Sequence, residues 1–69
     1  MADSVYKVIE IVGTSEESWE KAAANAVNRA AKSVRDLRIA EVAEMDMQID
    51  DGEVITYRTK LKVSFKFED

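Results

Sequence analysis

Acidic side chains are the residues of this chain best suited to chemistry, since its 69 residues include 14 Asp and Glu but no His and no Cys. Without His and Cys there is no Ser-His or Cys-His arrangement for nucleophilic catalysis, and the common zinc sites are excluded as well. Glu41 and Glu44 are close enough in sequence to be considered as an acid–base pair. A spacing of three residues, however, places them on opposite faces of a regular strand. The sequence therefore argues against an enzyme.

Two groups of carboxylates are candidates for binding a cation. One group surrounds the turn at 50–53, and the other consists of Glu16 and Glu17. Calcium takes about six to eight oxygen ligands, and the first group lacks the spacing of an EF-hand loop, so turn formation accounts for it. Helix capping and the helix dipole account for the second group at least as well as a metal does. Glu17 is retained as the candidate metal ligand, in a site shared between subunits.

The last third of the chain forms the longest predicted element. From residue 55 to residue 67, apolar residues or Thr alternate with residues that are mostly cationic or polar: Ile55, Tyr57, Thr59, Leu61, Val63, Phe65 and Phe67 against Thr56, Arg58, Lys60, Lys62, Ser64 and Lys66. This period of two predicts a strand with one buried face. At ~3.3 Å per residue the strand spans roughly 43 Å, which is more than one short helix covers. Because a domain of this size is marginal alone, the sequence predicts burial against copies of itself.

A first strand is predicted at 5–12, where Val, Ile and Tyr are concentrated. The segment is apolar on both sides apart from Lys7 and Glu10, which suits an inner strand, although its place in the sheet is not fixed by this pattern. The Gly-Thr-Ser sequence at 13–15 is expected to end it.

A helix is predicted to follow and to end near residue 33 or 34. Thr14 and Glu17 match the spacing of a capping box, and Ser15 is the alternative N-cap. The apolar positions form one narrow stripe, mostly of Ala, which allows the helix to lie close to a sheet. The stripe consists of Trp19, Ala22, Ala23, Ala26, Val27, Ala30, Ala31 and Val34.

A second strand is predicted at 37–49, with a change of buried face near Ala43 that implies a bulge. It is expected to pair with the last strand through a three-residue loop at 50–52, because Gly52 then takes a left-handed conformation and apolar residues share one face. This register places Met45 opposite Tyr57, Met47 opposite Ile55 and Glu44 opposite Arg58.

Several classes of partner and location are disfavoured by composition. The net charge of −4 argues against nucleic acid, and the aromatic residues do not cluster on the basic side of the last strand. The first residues lack the features of a signal peptide, and no apolar run approaches the ~20 residues that span a bilayer. A single domain over 1–69 without disulfides is expected in the cytoplasm.

Four segments carry a resemblance to a known family: YKVIEIVGTS at 6–15, the helix with Trp19 and Asn-Arg-Ala at 28–30, Ala-Glu-Val at 40–42, and YRTKLKVSF at 57–65. In this order and at this chain length they resemble dodecins. The resemblance implies an α+β fold in which a three-stranded antiparallel sheet wraps around one helix, in the order β-α-β-β, and a hollow sphere of twelve copies. It also implies storage of riboflavin or its phosphate, FMN, as stacked pairs between subunits, coenzyme A in some members, and no enzymatic activity.

Two positions depart from the flavin-binding members of that family. Ile39 stands where those members have a Trp that stacks on the flavin ring, and Arg58 stands where they have a Gln that bonds the ring's polar edge. Glu44 keeps the acidic residue of the same site. The resemblance thus implies ligand contacts from Ile39, Glu44 and Arg58, with weak flavin affinity because an aliphatic residue has no π-face and Arg has no acceptor. Arg58 is expected to favour phosphorylated ligands. The alternative is a calcium-binding or purely structural shell.

Overall fold

The computed structural model describes residues 3–67 and contains three strands and one helix. Their order is β1 (Tyr6–Ser15), α1 (Trp19–Ala30), β2 (Leu37–Asp50) and β3 (Glu53–Lys66). The strands form one antiparallel sheet of order β1-β3-β2. The predicted β-α-β-β fold with a three-stranded antiparallel sheet is therefore confirmed. No helix within residues 3–67 is long and apolar enough to cross a bilayer.

The centre of the sheet is β3, so the interpretation of the first strand as an inner strand is wrong. Apolar residues do occupy both faces of β1, but only one of these faces is covered. Ile9 and Ile11 pack against the core, whereas Val8 and Val12 on the other face are each more than half exposed. An apolar pattern on two faces here marks an edge strand with one bare face rather than a central strand.

The core lies between α1 and the face of the sheet that α1 covers, which is called the inner face below. Leu61 and Val63 of β3 are 1 % exposed, and Ala22 and Ala26 of α1 are buried against them. The alternation in β3 predicts this face correctly, because its odd-numbered residues point toward the helix while the cations between them point away. The alanine stripe of α1 lets the helix axis approach the sheet closely.

Gly13 marks the point of closest approach between helix and sheet. A Cβ atom at this position would lie 2.0 Å from the carbonyl oxygen of Ala22 and 2.8 Å from the Cβ of Ala26. The expectation that the 13–15 sequence ends β1 is wrong, since the strand continues to Ser15. Gly13 is a strand residue without a side chain because the helix backbone occupies that space.

The N-terminus of α1 is capped by Ser18, whose hydroxyl accepts a hydrogen bond from the Lys21 backbone N–H at 3.0 Å. Ser15 instead accepts from the Glu17 N–H in the turn before the helix. The predicted capping box of Thr14 and Glu17 is wrong, and so is the alternative cap Ser15, because the strand runs on past both cap positions. The helix itself ends at Ala30, three or four residues earlier than predicted.

The β2–β3 hairpin closes with a two-residue turn, Asp51-Gly52, so the predicted three-residue loop is wrong. Both turn residues have positive φ, 51° and 79°, which is the combination that a type I′ turn needs. The extra residue lies instead in β3, where Ile55 bulges between the pairs Ile49↔Val54 and Gln48↔Thr56. The bulge restores the shared apolar face that motivated the three-residue loop.

The register beyond that bulge also differs from the predicted one. Met45 lies opposite Thr59, and Met47 lies opposite Tyr57. The predicted irregularity near Ala43 is confirmed, because the register shifts between Val42 and Glu44. The bulge at Ala43 lets Val42 and Met45 both lie on the inner face, whereas the bulge at Ile55 changes the phase of β3.

The inner face of β2 is left bare by the helix. α1 packs on β1 and β3 and barely touches β2. The apolar side chains on this part of β2 are 43–62 % exposed, and together they form what is called the β2 apolar face: Val42, Met45, Met47 and Ile49. The hairpin also projects well beyond the helix, so that the chain measures 54 × 20 × 15 Å. The predicted surplus of uncovered β-surface is therefore present, and β2 carries more exposed large apolar side chains than β1 or β3.

Substituting Gly13 by Ala tests the close approach of helix and sheet. The added methyl meets backbone atoms that have no room to move, so we expect Gly13→Ala to lower the free energy of unfolding by about 3 kcal/mol. Gly52→Ala is the matched control, because a Cβ there meets nothing within 4 Å and the only penalty is the positive φ, about 1 kcal/mol. Denaturant midpoints of the three proteins measure both effects. Equal shifts for the two variants would contradict the packing argument.

Candidate functional site

The face of the sheet turned away from α1, called the outer face, carries the chain's densest arrangement of opposite charges. Three cations stand at alternate positions of the central strand β3, and carboxylates stand across from them on both neighbouring strands. On β2, the register places Asp46 opposite Arg58, Glu44 opposite Lys60 and Glu41 opposite Lys62. On β1, Glu10 lies opposite Lys62. Antiparallel pairing brings directly opposed side chains within reach of one another, so ionic contacts join neighbouring strands on this face.

The strongest of these contacts joins Arg58 to Asp46. Arg58 Nε donates to Asp46 Oδ1 at 2.7 Å, and Nη2 donates to Oδ2 at 3.0 Å, which is a bidentate arrangement. The hydrogen bond from Arg58 lowers the pKa of Asp46, and the same bond raises the pKa of Arg58. Both side chains remain about half exposed. The pair is thus well formed but stays in contact with solvent.

The expected pairing of Glu44 with Arg58 is wrong. Glu44 lies opposite Lys60, because the turn and bulge of the hairpin move the register by two residues from the predicted one. Lys60 in turn lies 3.6 Å from Glu10 on the far strand. Among residues 3–67, neither Glu44 nor Glu41 has an ion-pair partner within 4 Å, so this face leaves both carboxylates available as acceptors.

Ile39 lies far from the other two candidate ligand residues within one chain. It faces Ser64, whereas Arg58 faces Asp46. Ser64 and Arg58 are six residues apart on β3, which corresponds to roughly 20 Å at ~3.3 Å per residue. Ile39 is also 66 % exposed. One chain therefore places Glu44 and Arg58 in neighbouring cross-strand pairs but leaves Ile39 apart from both. A ligand that touches all three residue types has to lie between copies.

Carboxylates are too dispersed to hold a metal within one chain. Over residues 3–67, no group of three or more His, Cys, Asp or Glu side chains has the geometry to hold a metal ion. Glu17, the candidate from the sequence, is exposed and lies 3.9 Å from Lys21 one helical turn later. The structure thus gives Glu17 an exposed ion pair at the start of the helix, and the candidate role as a metal ligand stays a prediction.

Asp46 is a residue of this face that the sequence does not single out. Besides its side-chain contact with Arg58, its backbone carbonyl accepts a hydrogen bond from Trp19 Nε1 at 3.0 Å on the inner face. Trp19 is itself held by an edge-to-face contact with Tyr57, at 5.0 Å between ring centroids, and by the Thr59 hydroxyl, which donates to its carbonyl. Only the true strand register pairs Asp46 with Arg58, and no local pattern in β2 indicates it.

Comparison with known proteins gives a consistent result along the whole chain. Residues 5–68 match the family profile described as Dodecin. A calcium dodecin of Mycobacterium tuberculosis is 64 % identical over 63 residues, which is 91 % of this chain and 89 % of the relative. A dodecin of Thermus thermophilus is 43 % identical over 65 residues, or 94 % of each chain.

Solved structures agree with these sequence relatives. Dodecin from Streptomyces coelicolor superposes with a TM-score of 0.93 at 39 % identity, covering 100 % of this chain and 99 % of that one. The M. tuberculosis calcium dodecin, described as a calcium-chelating immunodominant antigen with a novel calcium-binding site, gives 0.83 at 61 % identity, covering 94 % and 93 %. The fold and the sequence thus point to the same family.

The Arg58–Asp46 contact predicts that the pKa of Asp46 depends on the presence of Arg58. In Arg58→Gln the guanidinium is lost, so the pKa of Asp46 should rise to the ordinary value of an aspartate, as followed by carboxyl carbon NMR shifts during a pH titration. Because the folded-state pKa is lowered, the stabilisation from this contact is present at neutral pH and is lost as the pH falls through that lowered value. Lys62→Gln is the control, since it removes a cation from the same strand but leaves Asp46 with Arg58. A similar rise in both variants would contradict the assignment.

Proposed function

This chain belongs to the dodecin family, and we propose that it assembles with copies of itself into a closed shell of twelve subunits that binds small ligands between subunits. The observation that carries the proposal is the β2 apolar face, which the chain's own helix does not cover. A binding and storage role agrees with the family and with the lack of nucleophilic or acid–base machinery. A cytoplasmic location stays a prediction from composition.

Burial of the β2 apolar face supplies the driving force for assembly. Its four side chains are each about half exposed, and fully burying such a side chain is worth about 1.5–3 kcal/mol, so closing the remaining half contributes on the order of 1 kcal/mol per residue and per subunit. Next to it, Trp19, Ala23, Val42 and Met45 line an apolar groove of about 320 Å³. A neighbouring copy that fills this groove removes apolar surface of α1 and β2 from water.

Calcium is the ligand that the relatives favour first. The M. tuberculosis calcium dodecin is identical to this chain at 64 % of the aligned residues, and in this chain carboxylates outnumber cations by 14 to 10. Because the carboxylates of one chain are dispersed over residues 3–67, we place the site between subunits. Carboxylates that are too far apart within one chain are brought together only when copies assemble.

A flavin-type ligand is the second candidate. The family relationship and the open acceptor of Glu44 support it, and the distance between Ile39 and Arg58 requires that such a ligand lie between copies. Its affinity is expected to be weak, because Ile39 provides contact area but no aromatic face for stacking. Coenzyme A, which the family resemblance also implies, stays a prediction without residues assigned to it.

The mass of the native particle tests the assembly. Twelve chains of 7.8 kDa give about 94 kDa, and we expect light scattering coupled to size exclusion to report that mass. Met45→Asp should dissociate the particle, because it places an unpaired charge in the proposed interface. Asn28→Asp carries the same charge change on an exposed position of α1 and should keep the full mass. A stably folded 7.8 kDa species of the natural sequence would refute the proposal.

Calcium binding is tested on the same particle after removal of metals with a chelator. Equilibrium dialysis should detect bound calcium, and the melting temperature should rise with calcium concentration. When the calcium concentration is a hundred times the dissociation constant, binding should add about 2.7 kcal/mol to the free energy of unfolding. The dissociated Met45→Asp variant should bind far less calcium, since its ligands are no longer brought together. Equal calcium binding by the particle and the dissociated variant would contradict a site between subunits, and no binding by the particle would leave the assembly without this ligand.

A further inference from the structure

The outer face neutralises its own cations. Arg58 is held by Asp46, Lys60 lies 3.6 Å from Glu10, and Lys62 stands in register between Glu10 and Glu41. With Glu44 added, these three cations face four carboxylates. The part of the cationic stripe from Arg58 to Lys62 therefore carries one more carboxylate than cations in the folded sheet.

Asp46 is fixed in place from both sides of the sheet. Its carbonyl oxygen accepts from the Trp19 indole on the inner face, while its carboxylate accepts two hydrogen bonds from Arg58 on the outer face. Trp19 belongs to the packed layer formed with Tyr57 and Thr59. Since the backbone at Asp46 is anchored, its carboxylate is held against the guanidinium without further ordering when a ligand arrives.

We propose that Asp46 determines the charge class of organic ligand that this face accepts, so that neutral planar molecules bind in preference to phosphorylated ones. The proposal rests on the proposed function, in which a flavin-type ligand lies between subunits and meets the Glu44 carboxylate of this face. A phosphate approaching Arg58 has to displace the Asp46 carboxylate or lie beside it, with Glu44 on the neighbouring row. Like charges placed together disfavour that complex, whereas a neutral ring with donors gains an acceptor in Glu44. This reverses the expectation that Arg58 favours phosphorylated ligands.

The test compares riboflavin with FMN, which differ by one phosphate, through quenching of flavin fluorescence by the assembled particle. The natural sequence should bind riboflavin more tightly than FMN. Asp46→Asn keeps the side chain's size and releases the guanidinium charge, so FMN affinity should rise about tenfold or more relative to riboflavin, the effect of one charge-assisted hydrogen bond. Asp51→Asn removes the same charge at the hairpin turn, where Asn also suits the positive φ, and should leave the ratio unchanged.

A double variant identifies the group that Asp46 controls. In Asp46→Asn combined with Arg58→Gln, the gain in FMN affinity should disappear, because no guanidinium is left to bind the phosphate. Particle mass is measured on every sample, so that loss of assembly, which would refute the proposed function, is separated from a wrong selectivity. The inference is overturned if the natural sequence prefers FMN, if Asp51→Asn shifts the ratio as much as Asp46→Asn, or if particles of correct mass bind neither flavin in any variant.

Discussion

A twelve-residue helix is too short for the sheet that it has to cover, and most of the structure follows from that mismatch. At ~1.5 Å per residue α1 is about 18 Å long, whereas the 14 residues of β2 extend for roughly 45 Å. The helix therefore covers the strands that lie under it, β1 and β3, and leaves the third bare. Over residues 3–67, the helix leaves the β2 apolar face largely uncovered. The bulge at Ala43 places both Val42 and Met45 on that face, so the arrangement is built into the strand rather than left over from folding.

The alanine stripe of α1 increases the mismatch between the helix and the sheet that it has to cover. Small residues bring the helix axis close to the sheet, as the absence of any room for a Cβ at Gly13 demonstrates. A helix held this close packs firmly but presents few large side chains, and so it spreads over little of the sheet. Leu61 and Val63 become a small, fully buried core, while larger apolar side chains such as Met45 remain outside it. The chain thus has a well-packed centre and a large apolar margin, a combination suited to a subunit rather than to a monomer.

The sequence predicts the elements and their faces better than it predicts how they are aligned. Alternation in β3 identifies its buried side, and the phase change at Ala43 identifies a bulge, because both depend on local apolar spacing. The bulge at Ile55 leaves no such mark, since Val54 and Ile55 are both apolar and either one fits the pattern. The two-residue turn and this bulge each shift the register by one residue, and together they decide whether Arg58 meets Glu44 or Asp46. The N-cap was missed for a related reason: Thr14, Ser15 and Ser18 are all competent caps, and tertiary packing of β1 under the helix determines which one is used.

In the proposed shell, assembly and ligand binding are thermodynamically linked. Ile39 and Arg58 are separated by roughly 20 Å along the sheet of a single chain, so a ligand that needs both ends binds only the assembled state. Such a ligand shifts the equilibrium toward the shell in proportion to its concentration, and the shell in turn raises the affinity for the ligand. Asp46 stands where the two processes meet, because its backbone is bonded to Trp19 beside the β2 apolar face and its side chain sets the charge of the outer face.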